Sequence, residues 1–420
     1  MENTPTAKRG VSTLAKILIA AVLILAAVLV QIFVISGMGQ ARDMRMEYTG
    51  HGVSYDFDAG AMFHSNDSRF FYFATRDVIR LVPSNGNPAA WSETFSFTRP
   101  IMASAGDFVA IADYRGRRVY VFNASGRVFR ADVSYPVLSF TITDTGLLTT
   151  ILSYDTGFGV NIFTQRYDTY PGLYSWSVHE FDGIYVPVLA EVSSDGQYIA
   201  IAVVDLNVVP NTEVLLLYVN ARDAWGTDRG LFATERFDGQ LVTAMRFMDG
   251  NRLIVAGTEE IRCFQVGPGH AQIREVWGGG IQLHNRLSHI EFYNGSHFAF
   301  VTDDRFVGTD EGDPVGTVRI FSVNGVETGS FHLGRRVTHL RMGHNALIVG
   351  ADRNFHAIDL RGSPLWEHTT LYDTRDLLFL DNTDTVLIAG AMGAGVYRRR
   401  RIRENERDMG IQDLEYGDFN

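Results

Sequence analysis

Six ionisable side chains recur at fixed places in a repeated strand and could do chemistry together. Aligned on the apolar positions of that strand, Glu191, Arg246, Glu291 and Arg341 share one place, and His289 and His339 share another two residues earlier. Carboxylates and guanidinium groups that alternate between neighbouring units form ion pairs. Two imidazoles in adjacent units are the start of a metal or anion site facing a channel. A metal needs three or four ligands in a defined geometry, and only two histidines align. The six therefore read as channel or inter-unit polar groups, with the histidines hydrogen-bonded between units, and no metal or cofactor is expected. A second cluster is acidic: Asp303, Asp304, Asp310, Glu311 and Asp313 fall in one loop before Gly316. Hard cations take oxygen ligands, but this spacing matches no EF-hand loop. No Gly-x-Ser-x-Gly elbow, His-Glu-x-x-His helix or Gly-rich phosphate loop is present, so no catalytic residue is singled out. Lys8 and Lys16 are the only lysines, which excludes a Schiff-base or P-loop lysine from everything after residue 16.

What must position these groups is a repeat of short apolar strands. Eight of them occur, among them Phe70 to Phe73, Tyr198 to Ile201, Ala346 to Val349 and Val386 to Ala389. A glycine turn precedes most: Gly106, Gly146, Gly196, Gly250 and Gly295 lie 40, 50, 54 and 45 residues apart. That is the period of a four-stranded blade, and it predicts an all-β, eight-bladed propeller, with seven blades as the alternative if the first repeat is not a true blade. Each unit reads as inner strand a, apolar strand b, alternating strand c and polar outer strand d. Turns such as Asn85-Gly86 and Asn324-Gly325 suit two-residue hairpins with two residues at positive φ. The last repeat ends without a d strand. The orphan stretch Gly52 to Phe57 is expected to supply it, closing the ring and removing a free sheet edge.

Ser193-Ser194-Asp195-Gly196-Gln197-Tyr198-Ile199-Ala200 resembles the turn-and-strand signature of WD40-like and related bacterial propellers. The Gly-His and Trp-Asp pairs of true WD40 repeats and the tryptophan docking motifs of quinoprotein repeats are missing. The chain as a whole is similar to an uncharacterised clostridial family of single-pass membrane proteins with an extracytoplasmic propeller, a domain of unknown function. The resemblance covers nearly the whole chain and brings no catalytic residues with it.

Ile17 to Ile35 is an apolar run of 19 residues broken only by Gln31. As a helix it is about 28 Å long, enough for a hydrocarbon core of roughly 30 Å. Lys8, Arg9 and Lys16 precede it, which places the N-terminus in the cytoplasm and the rest outside. A cleaved signal peptide is the competing reading, with a shorter apolar core. The expected layout is a cytoplasmic segment 1–13, a transmembrane helix 14–36 and a linker 37–48. A propeller 49–403 and an acidic, disordered tail 404–420 follow. The single cysteine, Cys263, excludes an internal disulfide, so core packing must hold the fold. The net charge is −11, and an acidic exterior argues against nucleic acid.

In a propeller the d–a and b–c loops share one face and the a–b and c–d loops the other. The first face carries the candidate binding loops: the b–c loop with Asp205 and Asn207, the acidic loop from Asp303, and the d–a connection Gly278 to His284. The same loops read equally as solvated insertions. Arg398, Arg399, Arg400, Arg401 and Arg403 end the last c strand on the anchor side. There they face either anionic headgroups or the acids of the tail, and the intramolecular partner is the preferred reading. Trp225 fits a partner anchor or blade-edge packing. The expectation is a non-catalytic scaffold at the bacterial cell membrane, binding an envelope or extracellular protein. The alternative is a propeller enzyme acting on an extracellular carbohydrate or small molecule in the channel.

Overall fold

A computed structural model describes residues 44–65, 69–166, 172–208, 211–219, 230–267, 273–303 and 316–401. The apolar run 17–35, Asp304, Asp310, Glu311, Asp313, Trp225, Arg403 and the tail 404–420 lie outside the described residues. Among those described, no helix is long and apolar enough to cross a membrane.

The described strands form eight sheets, each built around four antiparallel strands, in chain order in seven and with the N-terminal strand completing the eighth. The inner strands are Met62–Ser65, Pro100–Ala105, Val137–Ile142, Tyr185–Val192, Ala244–Met248, Arg286–Tyr293, His339–Gly343 and Asp376–Asn382. The first repeat is a true blade, from Met62–Ser65 to Trp91–Thr94, so the count is eight. Strand b of each blade is buried on both sides, because each sheet packs between two neighbours. Ala346–Ala351 and Thr385–Ala389 are buried at every position, and this explains why the b strands read as continuous apolar runs without alternation. The clusters bridge blades: Met248, Ile254 and Cys263 pack on Phe298, Phe300 and Phe321. Leu378 and Leu387 of blade 8 pack on Phe63, Phe71 and Phe73 of blade 1, which seals the ring.

The closing d strand is Met44–Ser54, antiparallel to Gly393–Arg401. It starts earlier than the boundary at 49 and ends before Tyr55, so Tyr55 to Phe57 belong to the d–a connection. Met44 to Tyr48 pair with Arg401 to Tyr397, and a register shift separates that pairing from Gly52 opposite Gly395. Met46 is fully buried among blade 7 and 8 residues. Both the start of this strand and the end of Gly393–Arg401 lie on the a–b/c–d face.

Two local expectations change. At Asn85-Gly86 and Asn324-Gly325 only the glycine has positive φ, 80° and 77°. Ser322 accepts from the Gly325 N–H at 2.9 Å and donates to Val326 at 2.9 Å. The loop thus has three residues, a turn followed by a left-handed glycine, in place of a two-residue hairpin. Gly278, Gly279 and Gly280 do not open a projecting insertion either. They interrupt an outer strand whose two pieces, Arg274–Glu275 and Ile281–Gln282, both pair with Glu260–Gln265.

Candidate functional site: a charged channel and an apolar face

The register of the blades builds the channel wall. Glu191, Arg246, Glu291 and Arg341 each pair with the third residue of their b strands: Ala200, Ile254, Ala299 and Ile348. Equal register on successive blades puts their side chains in reach of one another. Arg246 lies 3.7 Å from Glu191, and Arg341 lies 2.8 Å from Glu291 and 3.2 Å from Asp376 of blade 8. The signs therefore alternate over five blades. Burial pushes Glu291 up while Arg341 pulls it down, leaving it above the usual carboxylate value. Burial works against the Arg341 charge, but Asp376 and Glu291 outweigh it and hold that group above its ordinary value.

Glu191 is 7% exposed, and burial pushes it up to about 7 against the pull of Arg246. In the unfolded chain a glutamate titrates near ~4.3. The fold therefore favours the neutral carboxyl. This stabilising contribution is complete below about pH 4 and is lost as pH rises through about 7. Between pH 5 and 8 wild type is expected to lose about 2 kcal/mol of stability relative to Glu191→Gln, measured by urea unfolding. Parallel pH profiles for the two proteins would show that this carboxyl is not desolvated.

Two residues of the wall escaped the sequence reading. His64 pairs with Tyr72, the third residue of its b strand, so it shares the register of Glu191. Ser104 Oγ lies 2.8 Å from His64 Nδ1, and burial holds the imidazole down at about 4. Asp376 pairs with the fifth residue of its b strand, Ala389, as His289 does with Val301 and His339 with Gly350. Extending the alignment to blades 1 and 8 finds both residues.

Each of the two aligned histidines has polar neighbours of its own. His289 Nδ1 lies 3.2 Å from Ser288 Oγ. His339 sits 3.0 Å from Thr338 Oγ1 and 3.3 Å from the Arg375 carbonyl, with its ring edge-on to Phe355. Among the described residues no group of three or more His, Cys, Asp or Glu could hold a metal ion.

On the d–a/b–c face, Asp205 Oδ1 accepts the Asn207 N–H at 2.8 Å, so it organises its own turn. His284 is exposed on that face, and Asp303 ends a strand at the edge of the described residues. On the opposite face Arg399 pairs with Asp384 at 2.9 Å and Arg400 with Glu47 at 3.0 Å. These partners come from the a–b turn and the closing strand, whereas the tail was expected to supply them. Arg398 shares their strand, and Arg401 is its last residue.

The apolar surface is unevenly distributed. Among the described residues, nine of the twelve exposed large hydrophobic residues lie in d–a or b–c connections or at their margins. Leu206, 53% exposed, donates its N–H to the Ile184 carbonyl at 3.1 Å and forms one patch with Tyr185 and Val208. Phe57, Leu371 and Met392 lie in the connections that border blade 8, where Arg375 covers the Phe57 ring at 4.7 Å.

The chain is similar to several solved propellers. BamB from Moraxella catarrhalis is 13% identical, with 84% of this chain and 99% of that one covered and a TM-score of 0.48. Hsv2 of Kluyveromyces marxianus is 12% identical over 80% and 89% of the two chains, TM-score 0.42. The Pan2 WD40 domain of Neurospora crassa is 11% identical over 72% and 88%, TM-score 0.40. No curated protein matches the sequence. Residues 70–393, from the first apolar b strand to the start of the last c strand, match a single family, and the chain belongs to it: DUF5711, a family of unknown function.

Proposed function

We propose that this chain is a membrane-anchored, extracytoplasmic scaffold of the bacterial envelope that docks a protein partner on its d–a/b–c face and does no chemistry of its own. One observation carries the reading: exposed apolar side chains gather on that face, opposite the face where the first and last strands begin and end. Exposed apolar patches of this kind mark interaction surfaces. The run 17–35, preceded by Lys8, Arg9 and Lys16, supports the anchor and an N-inside orientation, and the clostridial resemblance belongs to the same reading. Such an anchor leaves the apolar face directed away from the bilayer.

Leu206→Asp combined with Leu371→Asp is expected to weaken partner binding by about thirtyfold, the effect of losing hot-spot contacts worth about 2 kcal/mol. Val326→Asp, on the a–b/c–d face, is expected to change it less than twofold. Affinity purification of each full-length variant from native membranes, with the partner quantified, checks this. Equal losses from both faces would remove the assignment.

A second reading, an enzyme acting in the channel on an extracellular carbohydrate or small molecule, rests on the 2.8 Å contact between Ser104 and His64. That is the contact of a nucleophile with its base. An imidazole held at about 4 is a weak base at neutral pH, so docking is preferred.

A further inference from the structure

Among the described residues, one channel arginine has donors that are unused. Arg246 lies on the wall of both parts of the channel cavity, the larger about 730 Å³ and the smaller about 310 Å³. Its nearest carboxylate oxygen, on Glu191, is 3.7 Å away, beyond hydrogen-bond distance. Among the described residues, the Arg246 guanidinium donates no hydrogen bond and the Glu191 carboxyl accepts none. Arg341, two blades further round, makes close contacts with both Glu291 and Asp376. Ion-pair geometry alone therefore does not account for Arg246. A guanidinium carries five N–H donors in a fork matched to a carboxylate, and here that fork borders open volume.

Apolar side chains share the rest of the wall with polar ones. Met62, Phe63, Met102, Phe292 and Met342 line the larger part, together with His64, Ser104, Glu291, Arg341 and Asp376. A cavity of this size that offers apolar side chains beside fixed charged and polar groups can hold a small amphipathic molecule. We propose that the channel binds a small monocarboxylate with an apolar body, its carboxylate held by Arg246 beside Glu191 and its body along Phe63, Met102 and Phe292. This assignment does not depend on the docking reading.

The charges around Glu191 make that binding proton-linked. Arg246 faces it from the next inner strand, and Asp144 and Asp249 line the smaller part of the cavity with it. Glu291 acts on Arg246 from the far side. A ligand carboxylate entering among these acids meets like charge. One proton taken from solvent by the Glu191 carboxyl removes a negative charge and supplies an O–H donor to the ligand oxygen that Arg246 leaves free. No covalent bond changes. Burial already favours the protonated form near neutral pH, so uptake costs little there. Affinity should then fall about tenfold between pH 6 and pH 8, as one proton accompanies each ligand.

Titration calorimetry of benzoate and benzylammonium into the full-length protein tests this. Benzoate is expected to bind one to one, about tenfold more tightly at pH 6 than at pH 8, and benzylammonium not to bind. Arg246→Gln should weaken benzoate at least tenfold at both pH values, provided its thermal melt shows that it is folded. Glu191→Gln should bind benzoate equally at pH 6 and 8, a readout that does not depend on Arg246→Gln folding. The proposal is overturned if benzoate fails to bind, if benzylammonium binds better, or if the pH dependence survives in Glu191→Gln.

Discussion

Gly52→Val is expected to destabilise the protein by about 3 kcal/mol, although the residue lies at the edge of a surface blade. Gly52 sits in the closing strand opposite Gly395, and a Cβ there would overlap the Ala394 carbonyl oxygen. The obstacle is backbone, which cannot swing aside as a side chain can. Relief requires the closing strand to move off Gly393–Arg401. That would break the backbone ladder and expose a sheet edge, so aggregation should rise as stability falls. Gly183→Ala is the control, because a Cβ there meets no atom within 4 Å. Urea unfolding of both variants decides the matter. If Gly52→Val unfolds with wild type, the closing strand is not seated as described.

Trp366→Ala is expected to cost about 4 kcal/mol, the range for deleting a large buried aromatic. Trp366 is fully buried in the outer strand of blade 7, among Met46, Phe355, Phe379 and Val386. Its indole N–H donates to the Thr383 carbonyl at 2.8 Å, in the a–b turn of blade 8. Loss of the ring opens a cavity at the seam between blades 7 and 8, and loss of the N–H leaves that carbonyl without this donor. Trp366→Phe separates the two effects, retaining much of the packing without the hydrogen bond. Because Met46 of the closing strand touches this cluster, Trp366→Ala and Gly52→Val should not be additive. Their coupling, read from a double-mutant cycle, is expected to exceed ~0.5 kcal/mol. Strict additivity would mean that closure and the blade 7 seam are energetically independent.

The fold was legible because strand b is buried on both faces and writes an uninterrupted apolar run every 40 to 54 residues. The missing outer strand was legible from the count of strands at the two ends of the chain. Its true start was harder to see. Met44-Arg45-Met46-Glu47-Tyr48 alternates as an edge strand should, but charges beside a long apolar run read more naturally as a linker. The order Glu191, Arg246, Glu291, Arg341 was visible because strand register is local. Asp376 and His64 carry a different residue type or register and were visible only if all eight blades were aligned. The partners of Arg399 and Arg400 were not legible: Asp384 meets Arg399 from the a–b turn of the same blade, and Glu47 meets Arg400 through ring closure, which brings residues 353 positions apart into one blade. The uneven apolar surface was equally hidden. It is a property of exposed loop tips, whose residues carry no period.

Face-resolved crosslinking reads out protein docking on one face of the propeller. A photoreactive residue placed at Leu371 or Leu206, and in parallel at Val326, would be activated in native membranes. Docking on the d–a/b–c face should give one common crosslinked protein from Leu371 and Leu206, competed away by unlabelled full-length chain but not by its Leu206→Asp/Leu371→Asp variant, and none from Val326. The same crosslinks from Val326, or competition undiminished in the variant, would contradict it.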